Sequence, residues 1–179
     1  GPISETLDTE IKGWLDLADP RHAAMFARAC IALRNNGGGR LVLGIDDTSL
    51  RSLPDNRPAD LVSAYHSDTL NTVVGRYASP KFEVRVEIKE HEGQPHPEIT
   101  VMTGVDFPVI SRAPFDKELR QNAVYVRTIS NGRPASCEPR TPQDWERLMQ
   151  VCFDNREADI GRFVRRHLAG ISTWLMVLG

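Results

Sequence analysis

The chain has 179 residues, 26% of them charged, with a formal net charge of −2 and a pI near 6.2. That length suits one domain with a sizeable core, or one domain with a helical appendage, and excludes two ordinary domains. The near-neutral balance excludes a binder that works by bulk positive charge, so any nucleic-acid contact has to come from a local basic patch.

Gly1-Pro2 resembles the scar that protease cleavage leaves on a recombinant protein. The sequence then opens with the acidic stretch Glu5 to Trp14. In a short strand Glu10 and Lys12 share one face, whereas Glu5 reaches them only through a turn. Asp19-Pro20 predicts the cap and first position of a helix over residues 20–35, whose apolar stripe includes Ala23, Phe26, Ala27, Cys30, Ile31 and Leu33. Asn35, Asn36 and Gly37 stop it, and Gly38-Gly39 turn the chain into the uncharged strand Leu41–Ile45, of the kind covered on both faces. Asp46 and Asp47 stand at its C-terminal end, where ligands tend to bind in sheets packed against helices.

Residues 48–58 predict a polar surface loop carrying Arg51 and Arg57, and residues 59–77 one helix ended by Pro80. Phe82–Lys89 alternates almost perfectly, as a strand with one wet face does, and the loop Glu90–Pro97 joins it to Ile99–Thr103 in an antiparallel hairpin. His91 and His96 are expected in that loop as solvated side chains, since no ligand-like carboxylates surround them. In the strand Ala123–Thr128, alternation places Val124 and Val126 inward and Tyr125 and Arg127 outward. Residues 130–134 are a turn by composition. Thr141-Pro142 opens a helix with Trp145, Leu148, Met149 and Cys152 as its buried stripe, and a second helical run, 156–169, presents Arg162, Arg165, Arg166 and His167 as a solvated face.

Cys30, Cys137 and Cys152 are odd in number and unclustered, which points to free thiols in a reducing, cytoplasmic setting. No signal peptide or membrane span is expected in this segment. Residues 3–140 are read as one domain and 141–179 as a C-terminal helical extension; the abrupt apolar end, 171–179, points to a longer parent protein.

Four landmarks in series, Glu5-x4-Glu10-x-Lys12, Ala32-x-x-Asn35-Asn36-x-Gly38-Gly39, Leu43-Gly44-Ile45-Asp46-Asp47 and Tyr125-Val126-Arg127-x-x-Ser130, resemble the Schlafen/AlbA_2 family over about residues 4–138. The resemblance implies a compact α/β (α+β) fold, a small mixed or antiparallel sheet flanked by helices. Many bacterial members are described only as DNA-binding modules, whereas Schlafen ribonucleases cut tRNA and rRNA with divalent metal through three acids. Residue by residue these fall on Glu5, Glu10 and Asp47, with Asp46 as a neighbour. Schlafen ribonucleases carry two such lobes; this chain has one, so a homodimer or a second lobe in the parent protein is implied.

The residue types suit that chemistry. Carboxylates gather Mg²⁺ or Mn²⁺ to offset phosphodiester charge, and Lys12, beside Glu10, can neutralise charge developing on the phosphate. Arg127 and Arg133 are candidates to hold the nucleic-acid backbone, with Tyr125 stacking on a base. The leading expectation is a metal-dependent endoribonuclease acting on structured RNA such as tRNA. A non-catalytic nucleic-acid-binding or regulatory module is the second. A DNA nuclease is the third, because Glu10-Ile11-Lys12 also resembles the E-x-K half of restriction-type sites, although there the partner aspartate precedes this element.

Overall fold

A computed structural model describes residues 3–168, so the reading of Gly1-Pro2 and of the apolar end lies outside the described residues. Helix α1 (Pro20–Asn35) is capped by the Asp19 side chain, which accepts from the Arg21 N–H at 2.9 Å, with Pro20 in the first turn, as the sequence predicts. Its apolar stripe is fully buried. It lies on one face of a four-stranded mixed sheet of order β1-β2-β5-β4, built from β1 (Thr9–Lys12), β2 (Gly39–Leu43), β4 (Val84–His91) and β5 (Gln94–Val101). β1 pairs parallel to β2, placing Glu10 beside Leu41 and Lys12 beside Leu43; the other two pairings are antiparallel. β1 is therefore an edge strand lying next to the strand that carries the Asp46-Asp47 end.

Two glycines set this geometry. A Cβ on Gly39 (φ 154°) would overlap the Asp8 carbonyl, so only glycine lets the chain leave the helix and lie against β1. A Cβ on Gly44 (φ 86°) would overlap the Trp14 indole that packs over it.

The segment read as one helix is two, α2 (Leu61–Ala64) and α3 (Ser67–Tyr77). Tyr65 breaks them apart: its ring enters the core, its hydroxyl donates to Leu15 O at 2.8 Å, and its backbone leaves helical geometry at φ −119°, ψ 40°. The hairpin β4–β5 turns on Glu92-Gly93 alone, both at positive φ, a tighter turn than the expected eight-residue loop. His91 and His96 are in consequence strand residues, and the expectation of solvated loop histidines is corrected. His96 is fully buried, stacked on Trp14 at 5.4 Å. Its Nδ1–H donates to the Leu43 carbonyl at 2.9 Å, since a carbonyl can only accept, so Nε2 accepts from the Ser52 hydroxyl at 2.8 Å.

Two small pairs complete the body: β3 (Ala78–Ser79) with β6 (Ile110–Ser111), and the hairpin β7 (Val126–Ser130) with β8 (Arg133–Cys137) around Asn131-Gly132. β8 had no counterpart in the sequence reading. The buried Asn35 side chain ties these parts to α1, bonding Val109 N and O at 2.9 Å and Tyr125 O at 2.8 Å. Helix α4 (Pro142–His167) runs unbroken from a Thr141/Asp144 capping box. Leu148 and Cys152 are buried as expected, but Trp145 and Met149 are exposed, because the body covers only one flank of this helix. No described helix is long and apolar enough to cross a membrane.

Candidate active site at the β1 edge

The N-terminal segment reaches β1 through the predicted turn, closed by Thr6 N–H donating to Thr9 O at 2.9 Å. The turn lets Glu5 fold back so that one carboxylate oxygen accepts from the Ile11 N–H at 3.4 Å. Glu10 and Lys12 share a face of β1, as expected, and pair at 3.4 Å. Glu5, Glu10 and Lys12 are thus gathered at one sheet edge. Asp47 is exposed on the loop after β2, close enough for its charge to act on Glu5.

The centre of this cluster is Arg127, which the sequence reading placed on the outside. It is fully buried. Its guanidinium donates to the carbonyls of Thr6 (2.6 Å), Leu7 (3.2 Å) and Thr9 (3.3 Å) and pairs with Glu10 at 3.4 Å and Glu5 at 3.7 Å. Tyr125 is also buried, its hydroxyl accepting from the Arg120 N–H at 2.8 Å. The alternation rule fails here because this strand is covered on both faces: the Arg127 side chain reaches the N-terminal segment and the Thr9 carbonyl of β1, whereas Thr128, on the alternate side, bonds Asp144 of α4 at 2.7 Å. Arg127 and Tyr125 are therefore removed as backbone-holding and base-stacking contacts. Of the three nucleic-acid candidates only Arg133 is open to solvent, and it donates to Asp47 O at 3.2 Å, so it borders the acidic edge.

Ser136 on β8, which the sequence reading missed, completes the cluster. Its hydroxyl donates to Glu10 at 2.6 Å and accepts from Arg127 at 3.1 Å. The signal that was available is Arg127 itself, a lone charge within Ala-Val-Tyr-Val-Arg, whose apolar neighbours mark a buried cation in need of acid partners. Asp46 is explained otherwise: its carboxylate accepts from Thr48 N–H (3.0 Å) and Ser49 N–H (2.6 Å), which makes it a turn former.

The two glutamates differ electrostatically. Burial pushes Glu10 up, but Lys12, Arg127 and the Ser136 hydroxyl outweigh it and hold the carboxyl below its usual range, so Glu10 is an anion. Burial raises Glu5, the Ile11 N–H and Arg127 pull it down, and the negative charges of Glu10 and Asp47 add to the rise; the net is upward. Partial burial is the main cause of the rise, and the neighbouring carboxylates add the smaller part. Among the described residues no three His, Cys, Asp or Glu side chains, as arranged, form a group that could hold one metal ion. The donor set is all oxygen, the kind that suits Mg²⁺ or Mn²⁺.

No family model and no curated protein sequence matches the chain. Among solved structures it is similar to the DIP2311 protein from Corynebacterium diphtheriae, with a TM-score of 0.53 and 17% identity, over 79% of this chain and 24% of that one. It is also aligned with the N-terminal domain of a protein described as related to the ATP-dependent DNA helicase RecG, from Nitrosomonas europaea, with a TM-score of 0.45 and 15% identity, over 78% of this chain and 86% of that one. At such identities the first likeness establishes a shared α+β fold, and the chain spans about a quarter of the Corynebacterium protein.

Proposed function

We propose that this chain is a nucleic-acid-acting module of the Schlafen/AlbA_2 kind and that the β1 edge is a divalent-metal-dependent endoribonuclease centre for structured RNA such as tRNA. We place it as the effector part of a larger bacterial protein, of the sort used in antiviral defence. The observation that carries this reading is the gathering of Glu5, Glu10 and Lys12 around one edge, beside the β2 exit that bears Asp47. Four sequence landmarks separated by up to about the length of a domain meet there through the turn at Thr6–Thr9, the Gly39 and Gly44 approaches and the Arg127 clamp.

Glu5, Glu10 and Asp47 would hold Mg²⁺ or Mn²⁺, which supplies charge stabilisation for a phosphodiester and an activated water. Arg127 and Ser136 fix the Glu10 carboxylate in place and keep it ionised. The Lys12 ammonium, partly exposed beside Glu10, is positioned to offset negative charge growing on a phosphate oxygen. Arg133 and the exposed arginines of α4 are the remaining side chains for backbone contact.

A second reading, a nucleic-acid-binding or regulatory module without catalysis, is favoured by one observation: Lys12, Arg127 and Ser136 already satisfy Glu10. Labelled tRNA, duplex DNA and single-stranded DNA, each with and without Mn²⁺, separate the readings. The expected result is metal-dependent cleavage of tRNA, lost in Asp47→Asn at unchanged melting temperature and reduced about 10²–10³-fold in Lys12→Ala. Binding without cleavage supports the second reading, cleavage of DNA in preference to tRNA makes the centre a DNA nuclease, and neither binding nor cleavage overturns all three.

A further inference from the structure

Beside the β1 edge lies a cavity of about 340 Å³ whose charged walls are Arg28, Lys117, Glu118, Arg120, Glu138 and Arg140. They come from three distant parts of the chain: the middle of α1, the loop between β6 and β7, and the segment that links β8 to α4. Tyr125 and Ser136 line it too, and both are held in place: the Tyr125 hydroxyl accepts from the Arg120 N–H at 2.8 Å, and the Ser136 hydroxyl donates to Glu10 at 2.6 Å. Ser136 is therefore the wall that the cavity shares with the acidic edge.

Four cations face two carboxylates here, a surplus of two positive charges in a chain whose net charge is −2. Glu118 pairs with Arg28 at 3.0 Å and is shared with Arg21, outside the cavity, at 3.3 Å, while Glu138 pairs with Arg120 at 3.4 Å. Among the described residues no carboxylate pairs with Lys117 or with the Arg140 guanidinium, which donates to the Ser130 hydroxyl at 2.8 Å. Arg28 is the deeper of the paired arginines, its side chain 23% exposed against 73% for Arg120.

We propose that this cavity binds a phosphomonoester, the group found at the end of a nucleic-acid strand or on a free nucleotide. A phosphomonoester carries about −1.5 to −2 charges at pH 7 and three acceptor oxygens, so it matches the surplus. A phosphodiester inside a strand carries about one charge and matches half of it. Guanidinium groups grip phosphate oxygens two at a time, which suits Arg28 to the floor of the site and Arg120 and Arg140, with the Lys117 ammonium, to its mouth. The volume lies at the lower end of small-ligand sites, roughly 300–1,000 Å³, and suits a single small ligand or a strand end. The assignment rests on the charge of the cavity and not on the chemistry of the β1 edge.

Fluorescence anisotropy of the full chain tests it, with EDTA present so that metal-dependent cleavage is silent. The probes are one internally labelled single-stranded RNA oligonucleotide, carrying a 5′-phosphate, a 3′-phosphate or hydroxyls at both ends, and a nucleoside monophosphate as competitor. The expected result is that a phosphorylated end binds roughly 10–100-fold tighter than a hydroxyl end. Lys117→Ala with Arg140→Ala removes this preference at unchanged melting temperature, and Glu138→Gln, which releases Arg120, strengthens it. A nucleoside monophosphate that binds as tightly as the strand identifies a free nucleotide as the source of the group, and one that binds far more weakly identifies a strand end. No binding of any phosphorylated probe, equal binding of phosphorylated and hydroxyl ends, or a preference that survives the double substitution overturns the assignment. None of these results bears on metal-dependent cleavage, which is read separately with Mn²⁺.

Discussion

At the scale of single residues, Arg127 shows how one side chain can organise a site without facing the ligand. It neutralises two carboxylates and satisfies three carbonyls of the segment that delivers them, so the acidic edge exists only while it is in place. Replacing it by Ala leaves buried charges and carbonyls unpartnered, and we expect a loss of about 3–5 kcal/mol in urea denaturation. A surface arginine would instead lose nucleic-acid affinity at unchanged stability. Glu10→Gln is for the same reason a poor probe of catalysis, because Glu10 is buried between Arg127 and Lys12 and the substitution disturbs the fold together with the site. Asp47→Asn, at an exposed position, separates the two. His96 gives a pH signature. Burial, with help from Arg57 and His91, holds its imidazole below the ordinary value of 6.5, and only the Leu43 carbonyl and Glu92 pull the other way. The folded chain therefore prefers neutral His96. Its contribution to stability is complete above the unfolded pKa near 6.5 and is lost as pH falls through the lower folded value. Urea midpoints across that window should drop with acid, and His96→Asn should flatten the slope whatever its own cost.

At the scale of elements, readings from local chemistry hold where neighbouring residues decide. The start of α1 at Asp19-Pro20, its end in the Asn-Gly run, the Glu10–Lys12 face of β1 and the capping box of α4 all depend on residues within a turn of one another. The errors fall where distant parts decide. Tyr125 and Arg127 are buried because α1, α4 and the N-terminal segment all pack around the β7–β8 hairpin, which no local period records. Tyr65 splits a helix because its hydroxyl has a carbonyl to reach fifty residues earlier in the chain. Asn35 was legible as a helix terminator but not as a tie. Its carboxamide joins α1 to Val109 and Tyr125, both more than seventy residues away. Asn35→Ala should cost about 1–3 kcal/mol for each group left unsatisfied, with the melting temperature lowered and the α1–β7 packing loosened first in hydrogen exchange at Tyr125 to Thr128.

At the scale of the whole molecule, one sheet face carries α1 and α3. The other carries a small apolar cluster of Ile3, Ile11, Val42 and Ile45, followed by the Arg40–Glu98 and Lys89–Glu98 pairs at 3.2 and 3.3 Å. The candidate site lies at the β1 end of the sheet, where the N-terminal turn, the β2 exit and the β7–β8 hairpin meet. Its acids were legible as a family pattern; its arginine and serine supports were not, because they arrive from residues 127 and 136 through tertiary contact alone. Under the proposed function Glu5, Glu10 and Asp47 draw together around one cation. Titrating the chain with Mn²⁺ and following free ion by electron paramagnetic resonance tests it without any substrate. We predict one bound Mn²⁺ per chain, displaced by Mg²⁺. In Asp47→Asn and Glu5→Gln the affinity should fall by more than the roughly 10–100-fold typical of losing an outer-shell partner. Binding that both substitutions leave unchanged, or no binding by the wild type, would rule out a shared cation at this edge.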